Sequence, residues 1–174
     1  MAHDLETLVS DIVKQVLGGD SSETKSSPEA VKNTMSKMTL DAAKKTIEAV
    51  EKKAAEIGVK AVTAISDAGG NPIAVQCMDD AFIASYDIAV NKAFTVVSLK
   101  MPTKNLATLA APGGSLYGIQ FTNNGQIVIF GGGDPLIYNG KIIGGLGVSG
   151  GTEEQDTFLS AYGASVLEEI MKGE

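Results

Sequence analysis

The side chains that could do chemistry in this sequence are few. His3 is the only histidine and Cys77 the only cysteine. No Ser–His or Cys–His pair can therefore form in the body of the chain, and no cysteine zinc site or internal disulfide can be assembled. Acid–base work falls to carboxylates, lysines and threonines. Asp79, Lys92 and Glu154 are the candidates. Each also has a plain reading, as a hairpin-turn acid, a helix-surface lysine and an acid beside a helix cap. Asp79, Asp80 and Asp87 lie close in sequence, but their spacing matches no calcium-loop signature. No metal site is expected.

Gly145-Leu146-Gly147-Val148-Ser149-Gly150 matches the G-x-G-x-x-G pattern of dinucleotide-binding loops. The preceding strand belongs to a tight hairpin rather than a parallel βαβ unit, and no second parallel strand follows to carry an acid to the ribose. A dinucleotide site is therefore not expected. A weaker feature survives: small residues let a ligand approach the backbone, and a helix opening at Thr152 offers free N–H groups to an anion. Glu153, Glu154 and Asp156 suit the helix dipole there and compete with an anionic ligand.

The elements that must position these residues can be read along the chain. Thr39 caps a helix running to about Ile57, with Leu40, Ala43, Ile47, Val50, Ala54 and Ile57 on one face and Gly58 at its end. Val59–Ser66 and Ile73–Met78 read as strands around a turn at residues 67–72. Residues 81 to about 100 read as a second helix stopped before Pro102, and 103–109 as a short third. Gln126–Phe130 reads as a strand. Residues 135–138 and 141–144 flank Asn139-Gly140, a strong hairpin signal, and strand continues through 146–148. Thr152 with Gln155 forms a capping box for a last helix ending near Met171. The expected class is α+β, with helices layered on an antiparallel sheet of about five strands.

Ahead of this domain, Leu5, Leu8, Val9, Ile12, Val13 and Val16 fall on one stripe of a helix that Gly18-Gly19 would stop. A helix so short needs an apolar partner surface. Residues 20–36 come next, with the polar composition of a flexible linker. The expected organisation is a docking helix over 1–19, a linker over 20–36 and a domain over 37–174. A net charge of −7 and a pI near 4.7 argue against nucleic acid or an anionic membrane surface as partner. No apolar run reaches the roughly 20 residues needed to span a bilayer, and one unpaired thiol suits a reducing, cytoplasmic compartment.

Two resemblances add to this reading. Helix, Ser/Pro/Lys-containing linker and domain in that order resemble the encapsulation peptides of bacterial microcompartment cargo. That resemblance implies a shell or core protein as partner for residues 1–17 and the microcompartment lumen as location. The body of the chain resembles the GlcG/HbpS family, including the C-terminal domain of PduO-type proteins. The runs that carry this are 67–72, Cys77-Met78-Asp79-Asp80-Ala81, 87–89, Lys92-Ala93-x-Thr95, 112–114, Phe130-Gly131-Gly132-Gly133-x-Pro135-Leu136 and 147–156, in order and spacing over nearly all of 38–172. The resemblance implies a profilin-like α/β/α domain, symmetric oligomers up to octamers, and a haem or corrinoid cofactor, with flavin a further possibility. Gly131, Gly132, Gly133, Gly150, Gly151, Thr152, Cys77 and Met78 would hold it. The chain departs from the family where many members carry a histidine and it has Asn71. No histidine in the domain can anchor haem, which leaves Cys77, Met78 or a tyrosine. The adenosyltransferase domain of PduO-type proteins has no counterpart here. The expected role is an accessory ligand-binding protein, with a small enzyme acting on a diol- or aldehyde-derived metabolite and a structural oligomer as alternatives.

Overall fold

The computed structural model describes residues 37–173. The expected docking helix and linker lie outside the described residues. The described residues all belong to one compact unit.

Helix α1 spans Leu40–Glu56. The Thr39 hydroxyl accepts the Ala42 N–H at 3.0 Å, as its capping role requires. Gly58 then takes φ +72°, the left-handed geometry that ends helices. Strands β1 (Val62–Asp67) and β2 (Pro72–Cys77) form the first hairpin. Its turn is held by the Asp67 carboxylate, which accepts the Gly69 and Asn71 N–H groups at 2.8 and 2.9 Å. Helix α2 (Ser85–Leu99) and a short helix α3 (Leu106–Leu109) follow. Strands β3 (Gly133–Tyr138) and β4 (Lys141–Ser149) form the second hairpin through Asn139-Gly140, both with positive φ. Helix α4 (Glu153–Lys172) opens on the expected capping box, with both of its hydrogen bonds made.

The two hairpins join through β1 and β4 into one antiparallel sheet ordered β2-β1-β4-β3. Helices α1 and α4 bury one face of it, where Ile47, Val50, Leu136, Leu146, Leu159 and Leu167 meet. Helix α2 lies on the other face over Val62 and Ala64. This is the expected layered α+β arrangement. The sheet has four strands, not about five, for two reasons. Lys141–Ser149 is one continuous strand. Gln126–Phe130 is no strand: its polar backbone is met by a side chain instead of a neighbouring strand. Thr95 Oγ1 accepts the Val128 N–H at 3.0 Å and lies 3.3 Å from the Gln126 carbonyl, its one proton shared between that carbonyl and the nearer Asn91 carbonyl at 2.7 Å. Helix α2 also starts at Ser85 rather than Ala81, because Asp80 adopts φ +66° and turns occupy residues 79–80 and 83–84.

The glycine pattern of β4 is explained by packing. Leu146 and Val148 point into the core under α1 and α4. Gly145 and Gly147 face α2, where a Cβ would strike the Ala93 and Ala89 carbonyls respectively. Glycine at alternate positions thus lets α2 lie directly on the strand.

Candidate functional site

Pairing places the end of β2, the start of β1, the end of β4 and the start of β3 at one end of the sheet. Val62 stands opposite both Cys77 and Ser149, and Gly133 opposite Gly147. Cys77, Met78, Gly131–Gly133 and Gly150–Thr152 therefore share that end. Two strand spacings separate Cys77 from Ser149, about 10 Å. Cys77 is exposed. The Met78 sulfur is already engaged, accepting the Ala61 N–H at 3.4 Å. Asp79 and Glu154 stay exposed, and neither is brought to Lys92.

On the glycine-rich side, the chain's own oxygens take the amides an anion would use. Gly131 N–H donates to Glu153 Oε1 at 2.8 Å, Gly151 N–H to Asp156 Oδ1 at 2.9 Å, and Thr152 N–H to Gln155 Oε1 at 2.9 Å. Gly133 N–H donates to Thr103 Oγ1 at 2.9 Å. The glycines are also crowded by protein. A Cβ on Gly131 would meet the Thr157 hydroxyl, and one on Gly150 the Lys60 carbonyl.

At the centre of this packing lies a buried ion pair. Lys92 is fully buried, and its Nζ donates to the Val148 carbonyl at 2.8 Å and to Asp156 Oδ2 at 3.0 Å. The Phe130 ring centroid lies 4.9 Å from the same Nζ. Lys92 belongs to α2 and Asp156 to α4, on opposite faces of the sheet. The pair meets where β3 begins, beside Gly132, whose carbonyl accepts the Val148 N–H at 2.8 Å. Burial pushes the Lys92 ammonium below its ordinary range and the Asp156 carboxyl above its own. Their mutual attraction and the Gly150 and Gly151 amides offset those shifts only in part. A second polar contact joins β3 to α4, where Ser160 Oγ donates to Asp134 Oδ2 at 2.6 Å. Burial raises the Asp134 carboxyl too.

Asp156 and Phe130 were not among the sequence candidates. The signal was present, because Ser85, Ala89, Lys92, Ala93 and Val96 form the buried stripe of α2, and Asp156, Leu159, Ser160, Gly163 and Leu167 that of α4. A lone charge on each of two apolar stripes marks a pair.

Gly132 holds φ +106°, and a Cβ there would lie 2.5 Å from Lys92 Nζ and 2.7 Å from Asp156 Cβ. Gly140 also has positive φ, at +74°, but open space around it. Denaturant unfolding of Gly140→Ala should show a loss of about 1–2 kcal/mol from backbone conformation alone. Gly132→Ala should lose about 1–3 kcal/mol more through overpacking. Equal losses would mean that the Lys92–Asp156 region gives way freely.

Among the described residues no helix is long and apolar enough to cross a membrane, and no group of three or more His, Cys, Asp or Glu is placed to hold a metal ion. Comparison with known proteins agrees with the geometry. An uncharacterized 15.0 kDa protein from the dhaT-dhaS intergenic region of Citrobacter freundii is 51% identical over 133 residues, covering 76% of this chain and 94% of that protein. The corrinoid adenosyltransferase PduO of the same organism is 41% identical over 104 residues, or 60% of this chain but only 31% of PduO. The crystal structure of a PduOC:heme complex superimposes with a TM-score of 0.72 at 34% identity, covering 74% of this chain and 94% of that one. The family model described as haem degrading protein HbpS-like matches residues 38–165, and the chain belongs to that family.

Proposed function

We propose that this domain is an accessory ligand-binding protein whose ligand is haem. The observation that carries the reading is the likeness, over most of the domain, to a relative solved with haem. The residues present fit such a group in one specific way. Among the described residues there is no histidine, and Met78 already spends its sulfur on the Ala61 N–H. Cys77 is the exposed sulfur at the same end of the sheet, and a thiolate is an established axial ligand for haem iron. Phe82, Ile83 and Tyr86, just after it in sequence, are exposed apolar surface suited to a flat macrocycle or to a second copy of the domain. Bound haem would supply a redox-active iron; the chain would supply Cys77 to ligate it. Corrinoid and flavin are the alternative ligands, and adenosyl transfer is not part of the proposal, since this chain matches only about a third of PduO.

A visible titration of the full chain with haemin tests this. A saturable Soret shift with one haem per chain is expected, and Cys77→Ala should weaken it and move the band. Cobalamin and flavin mononucleotide, titrated in parallel, should give no specific change. A Soret response unaltered by Cys77→Ala would remove the assigned ligand, and no saturable response to haemin would remove the reading.

We further propose that residues 1–17 dock the protein on a shell or core protein of a bacterial microcompartment, placing the domain in the lumen as a homo-oligomer. The apolar stripe of Leu5, Leu8, Val9, Ile12, Val13 and Val16 supports it. A fluorescent reporter carrying residues 1–19 should gather into puncta in cells that make shells, and Leu8→Glu with Ile12→Glu should leave it diffuse. Diffuse signal from the unaltered fusion would contradict the docking role.

A further inference from the structure

Lys92 is the one lysine in the interior of the described domain, and the sequence contains no arginine. An ammonium carries three N–H donors. Val148 O and Asp156 Oδ2 take two of them, and toward the third side stands the face of Phe130. That ring differs from everything else packed around the amine. It is 39% exposed, it lies outside any helix or strand, and it is followed at once by Gly131-Gly132-Gly133. Gly131 packs on Glu153 and Thr157, and these two residues line a surface hollow of about 530 Å³ with Glu154, Phe158 and Ala161. A fully buried amine, a carboxylate able to hold its proton and a part-exposed ring standing over the amine are the parts of an amine-nucleophile site.

We propose that Phe130 is a movable cover over Lys92 and Asp156, and that a small aldehyde or ketone entering past its exposed edge forms an imine on Lys92. Asp156 takes one proton from the ammonium. The freed lone pair of Nζ attacks the carbonyl carbon, and the carbonyl oxygen gains a proton to give a carbinolamine. Loss of that oxygen as water leaves a protonated C=N bond whose remaining N–H faces Asp156. In sum, aldehyde and ammonium give iminium and water, with no oxidant or reductant. A neutral carbonyl compound suits the site better than an anion, because Asp156 and Glu153 already supply negative charge. Burial, which lowers the Lys92 ammonium and raises the Asp156 carboxyl, favours the same proton transfer. The site is independent of haem and would stand or fall without it.

The test is reductive trapping on the folded full-length chain, with acetaldehyde and cyanoborohydride followed by peptide mapping. Burial lowers the Lys92 ammonium and leaves more of it as free amine at neutral pH, so Lys92 should be alkylated faster than exposed Lys60. Phe130→Ala should speed Lys92 further while leaving Lys60 unchanged; Phe130→Leu serves if the alanine variant does not fold. Alkylation confined to exposed lysines, with Lys92 reacting only after unfolding in urea, would overturn the proposal. A Lys92 rate indifferent to the residue at 130 would overturn the cover.

Discussion

The arrangement depends on a charge that has been taken out of water. Lys92 comes from the helix on one face of the sheet and Asp156 from the helix on the other, and they meet at 3.0 Å with almost no exposure. Desolvating two ions costs several kcal/mol each, and the attraction between them returns that only when geometry and hydrogen bonding are complete. Here they nearly are. Val148 O accepts from the ammonium, Gly151 N–H donates to the carboxylate, and Phe130 closes the remaining side. A misplaced element would leave a buried charge alone, so the pair selects one register for the strand start, the loop and the last helix together.

That selection explains much of the glycine content at this end of the sheet. Gly132 has no room for a side chain because the pair fills it, and Gly131 has none because Thr157 and Glu153 do. On β4, Gly145 and Gly147 bring α2 close enough for Lys92 to reach through to α4. A pattern that resembles a nucleotide loop in sequence is thus a packing device, with acidic side chains of α4 standing where a phosphate would go.

Much of this was legible in the sequence. Both hairpins, the capped ends of α1 and α4 and the middle of the α1 face follow from local rules that tertiary packing did not override, since Thr39, Gly58, Asn139-Gly140 and Thr152 act through their immediate neighbours; Leu40 and Ile57, expected on the buried face, stand exposed at the helix ends. The errors arose where distant groups decide. Gln126–Phe130 has strand-forming residues, yet Thr95 on α2 meets its backbone, which no local pattern reveals. Asp80 turns left-handed and delays α2. The ion pair stood in plain view as one charge on each of two buried stripes, but its partners are 64 residues apart, and only the fold brings them together. The candidates Cys77 and Met78 came from family likeness, and the structure distinguishes the exposed sulfur of the first from the second, which accepts the Ala61 N–H.

The central claim, that the Lys92–Asp156 pair holds the two helical layers through the sheet, is tested most directly by a double-mutant cycle in denaturant. Lys92→Met and Asp156→Leu should each cost about 3–5 kcal/mol, because each strands the other charge, and the double variant should cost no more than either alone. Small, additive losses from the two single variants would contradict the claim and reduce the pair to a bystander of the packing around it.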